Sequence, residues 1–134
     1  MSGVPPPVVR SLIACEEIRP DDRNPRRLSL LRVINTIRAT SNPPFPMIRP
    51  QFAVFAVLTN ARGGGELSLE IRRAEDDAVV YRSPTRRIAF PADPLVLSGV
   101  SYGIRNLVFT TAGLYWVQLR YNGDLLADLP VVVR

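Results

Sequence analysis

Apolar residues occur along the chain in short runs that proline and glycine interrupt. The 13 prolines and eight glycines leave apolar segments of about five to ten residues, a spacing typical of an all-β sandwich or barrel. Within residues 67–73 apolar and polar side chains alternate, as the two faces of a half-buried strand require. The pattern predicts an all-β fold, an antiparallel β-sandwich of about seven to nine strands, as a single domain over residues 8–134. Residues 1–7, with three consecutive prolines, are expected to form a disordered arm.

A glycine-rich turn predicts a hairpin in the middle of the chain. Three glycines at residues 63–65 separate an apolar run at residues 51–59 from the alternating segment 67–73, which favours an antiparallel pairing of the two. Upstream, residues 42–50 contain four prolines, which cannot donate to a β-ladder. An extended crossover between the sheets is therefore expected there.

A second hairpin is predicted at the end of the chain. Asn122-Gly123, the strongest two-residue turn signal, separates β-rich runs at residues 114–121 and 125–133. The apolar residues predicted to share the inner face are Tyr115, Val117 and Leu119 on the first arm and Leu125, Ala127, Leu129, Val131 and Val133 on the second. Both arms can then cover one core.

Five further segments contain enough Val, Ile, Leu or Phe to form strands. These segments are residues 8–17, 28–37, 78–82, 87–90 and 104–110. The segment 28–37 is ambiguous, because its apolar residues also fit the spacing of a helix. Its β-branched cluster and the Asn42-Pro43-Pro44 sequence that follows favour a strand.

The composition excludes most enzyme classes. The chain has no histidine, its 17 basic residues are all arginine, and Cys15 is its one cysteine. Without histidine there is no imidazole base or metal ligand and no Ser-His-Asp or Cys-His pair. The absence of lysine and of a second cysteine excludes Schiff-base chemistry, a P-loop, an internal disulfide and a multi-thiolate metal site. We therefore expect a non-enzymatic protein without a cofactor or metal, with Cys15 as a small buried residue.

A net charge of +5 makes a polyanionic partner an alternative. The arginines are spread from Arg10 to Arg134 among acidic residues, whereas a nucleic-acid footprint concentrates them on one face. Three adjacent pairs could clamp phosphate, although solvated turn and edge charges are the more frequent role. The pairs are Arg26-Arg27, Arg72-Arg73 and Arg86-Arg87. Nucleic-acid binding is thus not the expected function.

The N-terminal sequence does not have the pattern of an export signal. The first ten residues lack a basic n-region and a continuous apolar h-region, and no stretch of about 18 apolar residues follows. We expect a cytoplasmic protein that does not insert into membranes.

Loop carboxylates suggest a second alternative, a calcium-dependent or hydrolytic domain. Aspartates at positions 21, 22, 76, 77 and 93 lie in predicted turns and could meet around Ca²⁺ if those turns converge at one end of the sandwich. The Asp-x-Asp-x-Asp-Gly spacing of a calcium loop is missing. Aspartate in turns more often bonds the local backbone.

Residues 112–117, AGLYWV, resemble the tyrosine corner of immunoglobulin-like sandwiches. In that motif the tyrosine hydroxyl bonds to nearby backbone, and the residue two positions later points into the core. The resemblance implies an immunoglobulin-like architecture, a structural role for Tyr115 and a core position for Val117. Val117 stands where antibody domains have a cysteine, and no tryptophan lies in the earlier strands, so two hallmarks of those domains are absent.

The order of features along the whole chain is similar to that of an uncharacterised bacterial family of short β-sandwich proteins. The matching features are the Cys-acid pair in Ala14-Cys15-Glu16-Glu17, the strand Leu28 to Val33, the Pro44-Phe45-Pro46 crossover, and the Gly-x-Tyr before the terminal hairpin. The resemblance implies a fold and leaves the function open.

Trp116 is the main candidate for a contact residue. If Tyr115 faces the core, alternation places Trp116, Gln118 and Arg120 on the outer face of the sheet. A large aromatic beside arginine on such a face has the composition of a binding hot spot. The alternative is that the proline crossover covers Trp116 with Phe45 and Met47.

The run at residues 51–59 gives a second indication of an outer-face contact. Phe52, Val54, Ala56 and Leu58 share one face, while Phe55 and Val57 occupy the other. A strand that is apolar on both faces is covered on both faces. We therefore expect an interaction module that forms a homodimer, or binds another protein, through an outer sheet face.

Overall fold

The structure, a computed structural model, describes residues 5–134. Runs of β-branched and aromatic residues form strands throughout this range. The ten strands in this range are β1 (Val8–Pro20), β2 (Leu28–Val33), β3 (Thr36–Ile37), β4 (Met47–Thr59), β5 (Gly64–Arg73), β6 (Val79–Arg82), β7 (Arg86–Ala89), β8 (Ser98–Phe109), β9 (Gly113–Tyr121) and β10 (Asp124–Val133). The predicted arm falls partly outside the described residues, and Pro7 at its end is buried. Across residues 5–134 there is no helix with the length and apolar character needed to cross a membrane.

The strands form two sheets, which confirms the predicted all-β sandwich, and the ten strands within residues 5–134 exceed the seven to nine predicted. The four-stranded sheet has the order β2-β1-β4-β8, and the six-stranded sheet has the order β3-β10-β9-β5-β6, with β7 also pairing β5. The described pairings are antiparallel except that β3 runs parallel to β10. The core lies between the sheets, where each fully buried large apolar side chain contributes about 1.5–3 kcal/mol.

Aromatic contacts link the two layers of the core. The rings of Phe109 on β8 and Tyr115 on β9 meet edge to face, with centroids 4.8 Å apart and an interplanar angle of 71°. Both side chains are 0% exposed. The inner face of β4 supplies Phe52, Val54, Ala56 and Leu58 to the same core, as predicted.

The predicted central hairpin is wrong. Both edges of β4 are occupied, by β1 and β8, and β5 lies in the other sheet between β9 and the β6–β7 edge. The glycine turn therefore carries the chain from one sheet to the other. Gly63 adopts a φ of +67° and its carbonyl accepts a hydrogen bond from the Phe90 N–H at 2.7 Å, which joins the turn to the end of β7.

The predicted crossover over residues 42–50 is shorter than expected, because β4 already begins at Met47. Its first residues pair with β8, and the ladder is interrupted between the pairs Arg49–Leu107 and Gln51–Arg105, where Pro50 lies. On its other side β4 pairs with β1 over residues 53–59. Proline is tolerated at this position because it lies at a break in one ladder and beyond the end of the other.

The segment 28–37 forms strand, as predicted, but is divided between the sheets. β2 pairs with β1, whereas β3 pairs with β10 in the other sheet. Between them the chain crosses over, and Ile34 and Ile37 are buried in the core. Burial of these two residues explains why their spacing also fitted a helix.

The closing hairpin is confirmed, with positive φ angles at Asn122 (52°) and Gly123 (85°). One predicted core position on its second arm is wrong. The register shifts between Leu125 and Ala127, so Leu125 lies opposite Arg120 and is 48% exposed, while Leu126 packs against the core. A bulge of this kind cannot be predicted from alternation alone.

Candidate functional site

Tyr115 forms the corner that orients β9. Its hydroxyl donates a hydrogen bond to the Thr111 carbonyl at 2.7 Å, and the side chain is fully buried. Gly113, at a φ of +141°, begins the strand. With Tyr115, Val117 and Leu119 fixed in the core, alternation along β9 turns the intervening residues outward.

Trp116, Gln118 and Arg120 lie half-buried on the outer face of the six-stranded sheet, as predicted. Trp116 is flanked by Arg72 on β5 and Pro130 on β10, and we call this surface the Trp116 face. Met47 belongs to the core and Phe45 packs against it, whereas Trp116 is not part of the core cluster. The proline crossover therefore contributes these two residues to the core, and the indole keeps exposed area.

Glu70 organises the polar part of the Trp116 face. Its carboxylate accepts hydrogen bonds from Arg72 Nη2 at 2.9 Å and Arg82 Nε at 3.4 Å, and Arg120 Nε lies 3.4 Å from it. Burial alone would raise the pKa of Glu70, but the hydrogen bond and charge of Arg72, the charge of Arg120 and the bond from Arg82 hold it below its ordinary value. Sequence reasoning missed Glu70, because its partners come from three strands.

The donors of the Trp116 face are largely used within the chain. Arg120 donates to Gln118 Oε1 at 2.9 Å and to the Gly123 carbonyl at 3.2 Å. Arg72 also pairs with Asp77, at 3.1 Å. These contacts hold the polar side chains in place around the indole, so an apolar contact is what this face offers most directly.

The second outer face, that of the four-stranded sheet, combines apolar and very small side chains. Its outward residues form level rows across β1, β4 and β8: Ser11, Val57 and Gly99; Ile13, Phe55 and Ser101; Cys15, Ala53 and Gly103. Phe55 and Val57 are half-buried. The Phe55 ring lies close to Gly99, where an added Cβ would be 3.2 Å from the ring. The apolar outer residues of β4 and Trp116 thus lie on opposite sides of the sandwich, since β4 and β9 belong to different sheets.

An open cleft of about 690 Å³ runs across this second face. Its lining includes Ala53 and Gly103, with Glu17 on the β1 side and Arg105 on the β8 side. Arg105 forms no ion pair with any residue in the range 5–134. The charged residues of the lining are Glu16 and Glu17 on the β1 rim and Arg105 on the β8 rim, and the small residues lie between the two rims.

Cys15 lies in one of these rows and is 0% exposed. Burial raises the pKa of the thiol, and the hydrogen bond to the Glu17 carbonyl, at 3.5 Å, offsets this only in part. A buried thiol held in its neutral form is a packing residue, as the sequence predicted.

The loop aspartates do not converge as a calcium site requires. Asp93 lies in a loop that is hydrogen-bonded to the C-terminal end of β4, at Thr59. Asp21 and Asp22 follow β1 and lie toward the opposite end of β4, beyond Gln51. Asp21 and Asp93 accept hydrogen bonds from local backbone N–H groups. In the described part of the chain, no three acidic, cysteine or histidine residues are grouped so as to hold a metal ion.

Both arginines of the pair Arg72-Arg73 and one arginine of the pair Arg86-Arg87 make side-chain contacts within the fold. Arg72 and Arg73 each bind a carboxylate of the β5–β6 turn, and Arg73 also donates to the Thr110 hydroxyl at 2.9 Å. Arg86 lies over the Tyr102 ring, 4.4 Å from its centroid, and donates to the Ser101 carbonyl. Their positions match the edge and turn charges favoured by the sequence.

Residues 10–134 match DUF6941, a family of unknown function. The chain belongs to this family. The match covers nearly the whole chain, and it confirms the resemblance to an uncharacterised family of short β-rich proteins. DUF6941 membership carries no assigned activity, and no curated protein sequence matches the chain.

Solved structures similar to this DUF6941 chain are distant. A D270A β-glucosidase from Listeria innocua, in complex with laminaribiose, has 10% sequence identity and a TM-score of 0.48, covering 92% of this chain and 16% of that one. An immunoglobulin-like protein from Pseudomonas aeruginosa has 12% identity and a TM-score of 0.46, covering 99% of this chain and 100% of that one. The chain therefore spans about one sixth of the length of the glucosidase.

Proposed function

We propose that this DUF6941 chain is a non-enzymatic interaction module that self-associates as a homodimer through an outer sheet face. The observation that carries the proposal is the composition of β4, which is apolar toward the core and also apolar toward the outside. Phe55 and Val57 on its outer side are half-buried and keep exposed area. Covering such a face with a second subunit removes apolar surface from water at about 25 cal/mol per Å².

The chemistry of the remaining side chains supports a binding role over a catalytic one. The chain lacks histidine and lysine, and the pKa of the buried Cys15 thiol is raised. Four of the five loop aspartates accept hydrogen bonds from local backbone or pair with arginine, in three separate loops. Half-buried apolar or aromatic side chains, by contrast, lie on the outer faces of both sheets.

Two surfaces can carry the contact. The Trp116 face offers a half-buried indole with Gln118 and Arg120 held beside it, a composition common in binding hot spots. The four-stranded sheet offers Phe55 and Val57 beside a row of glycine and serine on β8. An isologous dimer needs one self-complementary surface, so a second surface stays open to a different protein.

Sedimentation equilibrium of the purified chain tests the proposal directly. We expect a reversible monomer–dimer equilibrium with a dissociation constant in the micromolar range, roughly 1–100 μM, because one sheet face buries a small interface. A chain that remains monomeric at concentrations well above about 100 μM would contradict the proposed self-association.

A further inference from the structure

We infer that the four-stranded sheet binds a second copy of this chain, face to face, about a two-fold axis that runs along β4 and pairs Glu17 of each subunit with Arg105 of the other. The inference rests on the proposed self-association and adds the surface, the symmetry and the residues that fix the orientation.

The registers of β1, β4 and β8 place Glu17 and Arg105 at the same level of the sheet. Arg105 is paired with Gln51 on β4. The ladder between β1 and β4 ends at the pair Cys15–Ala53, and continuing its register by two residues brings Glu17 level with Gln51. Glu17 and Arg105 both line the cleft, and they lie on opposite sides of its central strand.

Two-fold symmetry about β4 turns this arrangement into charge complementarity. Such an axis places β1 of one subunit over β8 of the other, with every row meeting the equivalent row. Glu17 then faces the second subunit's Arg105, and the pair occurs twice in the dimer. An axis perpendicular to the strands would instead stack each strand on its own copy, so Glu17 would lie over β1 of the second subunit and would not face Arg105. Either axis leaves the strands of the two sheets nearly aligned, within the roughly 30° that stacked sheets prefer, so the charges decide between the two axes.

The sizes of the outward side chains support the same axis. Ile13 on β1 lies in the same row as Ser101 on β8. The neighbouring outward residues of β8 are Gly99 and Gly103, two residues before and after Ser101. With the axis along β4, Ile13 of each subunit lies over the Ser101 row of the other. Phe55 lies near the axis and meets its own copy. The bulky Ile13 of β1 thus faces the strand with the smallest outward side chains.

Neither Glu17 nor Arg105 is held by a strong ion pair within the described part of its own subunit. Arg105 is exposed and makes no ion pair within residues 5–134. Glu17 binds Arg19, whose side chain is 64% exposed on the same strand. An exposed pair of this kind is weakly held, so Glu17 can turn to a new partner at little cost.

Charge reversal tests the geometry. Glu17→Arg places arginine against Arg105, and Arg105→Glu places glutamate against Glu17, so each variant should weaken the dimer about tenfold or more. The double variant E17R/R105E restores opposite charges and should return the dissociation constant to within about threefold of the wild type. Arg38→Glu is the control, because Arg38 is exposed in the other half of the sandwich and the substitution changes the net charge as much as Arg105→Glu does. It should leave the dissociation constant of the dimer unchanged. Circular dichroism checks that every variant is folded.

Fluorescence of the single tryptophan provides an independent readout. Trp116 lies on the other sheet, so its emission maximum and its quenching by acrylamide should not change as the dimer forms. If association protects Trp116 and Trp116→Ala dissociates the dimer, the contact is the Trp116 face, and this inference is overturned while the proposed function stands. A dimer that tolerates both single reversals also overturns it. If no dimer forms, the proposed function itself is wrong.

Discussion

Two buried tyrosines of the core differ in what their hydroxyl groups meet. The Tyr115 hydroxyl donates to the Thr111 carbonyl, a bond to nearby backbone that the resemblance to a tyrosine corner implied. The Tyr102 hydroxyl is buried and finds no hydrogen-bond partner among residues 5–134. Burial raises the pKa of Tyr102. No sequence signal marked it, since its surroundings come from strands far apart in the chain.

The two tyrosines should respond oppositely to loss of the hydroxyl. Tyr115→Phe removes a buried hydrogen bond and should lower the free energy of unfolding by about 1–2 kcal/mol. Tyr102→Phe removes a polar atom that is buried without a partner, and it keeps the ring beneath Arg86, so the stability should be unchanged or higher. Urea denaturation of both variants measures the difference. Equal losses in both would contradict the contrast between the two sites.

The sequence predicted where strands and turns occur more reliably than it predicted which strands pair with each other. The Asn122-Gly123 hairpin follows from local turn chemistry and is confirmed, because a two-residue turn places its two arms directly beside each other. The glycine turn at residues 63–65 gave an equally local signal, but both edges of β4 are paired with other strands, β1 and β8. Glu70 shows the same limit, since it joins β5 to arginines of β6 and β9 that alternation cannot bring together.

Glu70 should make stability depend on pH in the acid range. Its pKa in the folded chain lies below the ordinary value of about 4.5, so it stabilises the fold fully above that pH. As the pH falls through 4.5 toward the folded pKa, the unfolded chain takes up the proton first and this contribution is lost. Glu70→Gln should therefore lower the free energy of unfolding by about 1–3 kcal/mol at neutral pH, and the difference from the wild type should shrink in acid.

Chemical denaturation of the wild type and of Glu70→Gln across this pH range measures the effect. Glu66→Gln is the matched control, because Glu66 is exposed on the same strand and forms no ion pair within residues 5–134. A difference for Glu70→Gln that stays constant down to pH 3, well below the ordinary value of about 4.5, would show that the carboxylate charge is not what joins the three strands.

At the scale of the whole molecule, the two outer sheet faces have separate chemistry. One is a polar network around a single indole, and the other is an apolar surface with charged rims. The sequence indicated both features, yet it could not show that they lie on opposite sides of the sandwich. That assignment depends on which sheet receives β4 and which receives β9.

Self-association should make the thermal midpoint depend on protein concentration. A dimer binds native chains and not unfolded ones, so raising the concentration above the dissociation constant raises the midpoint. The shift should be small for Glu17→Arg and recover in the double variant E17R/R105E. Thermal scans at several concentrations measure it, and a midpoint independent of concentration in the wild type would contradict the dimer.

The amino-acid sequence by itself determined the all-β class, the closing hairpin, the tyrosine corner and which residues of β9 face outward. The tyrosine corner was implied by the resemblance to immunoglobulin-like sandwiches. The other three follow from side-chain alternation and turn chemistry, which act between residues close in the chain. Only the tertiary structure decided strand partners, the bulge at Leu125, the arginine shell of Glu70 and the level of Glu17 with Arg105. Strand pairing is a competition among distant segments for the same edges, so its outcome depends on the packing of the whole core rather than on any local pattern.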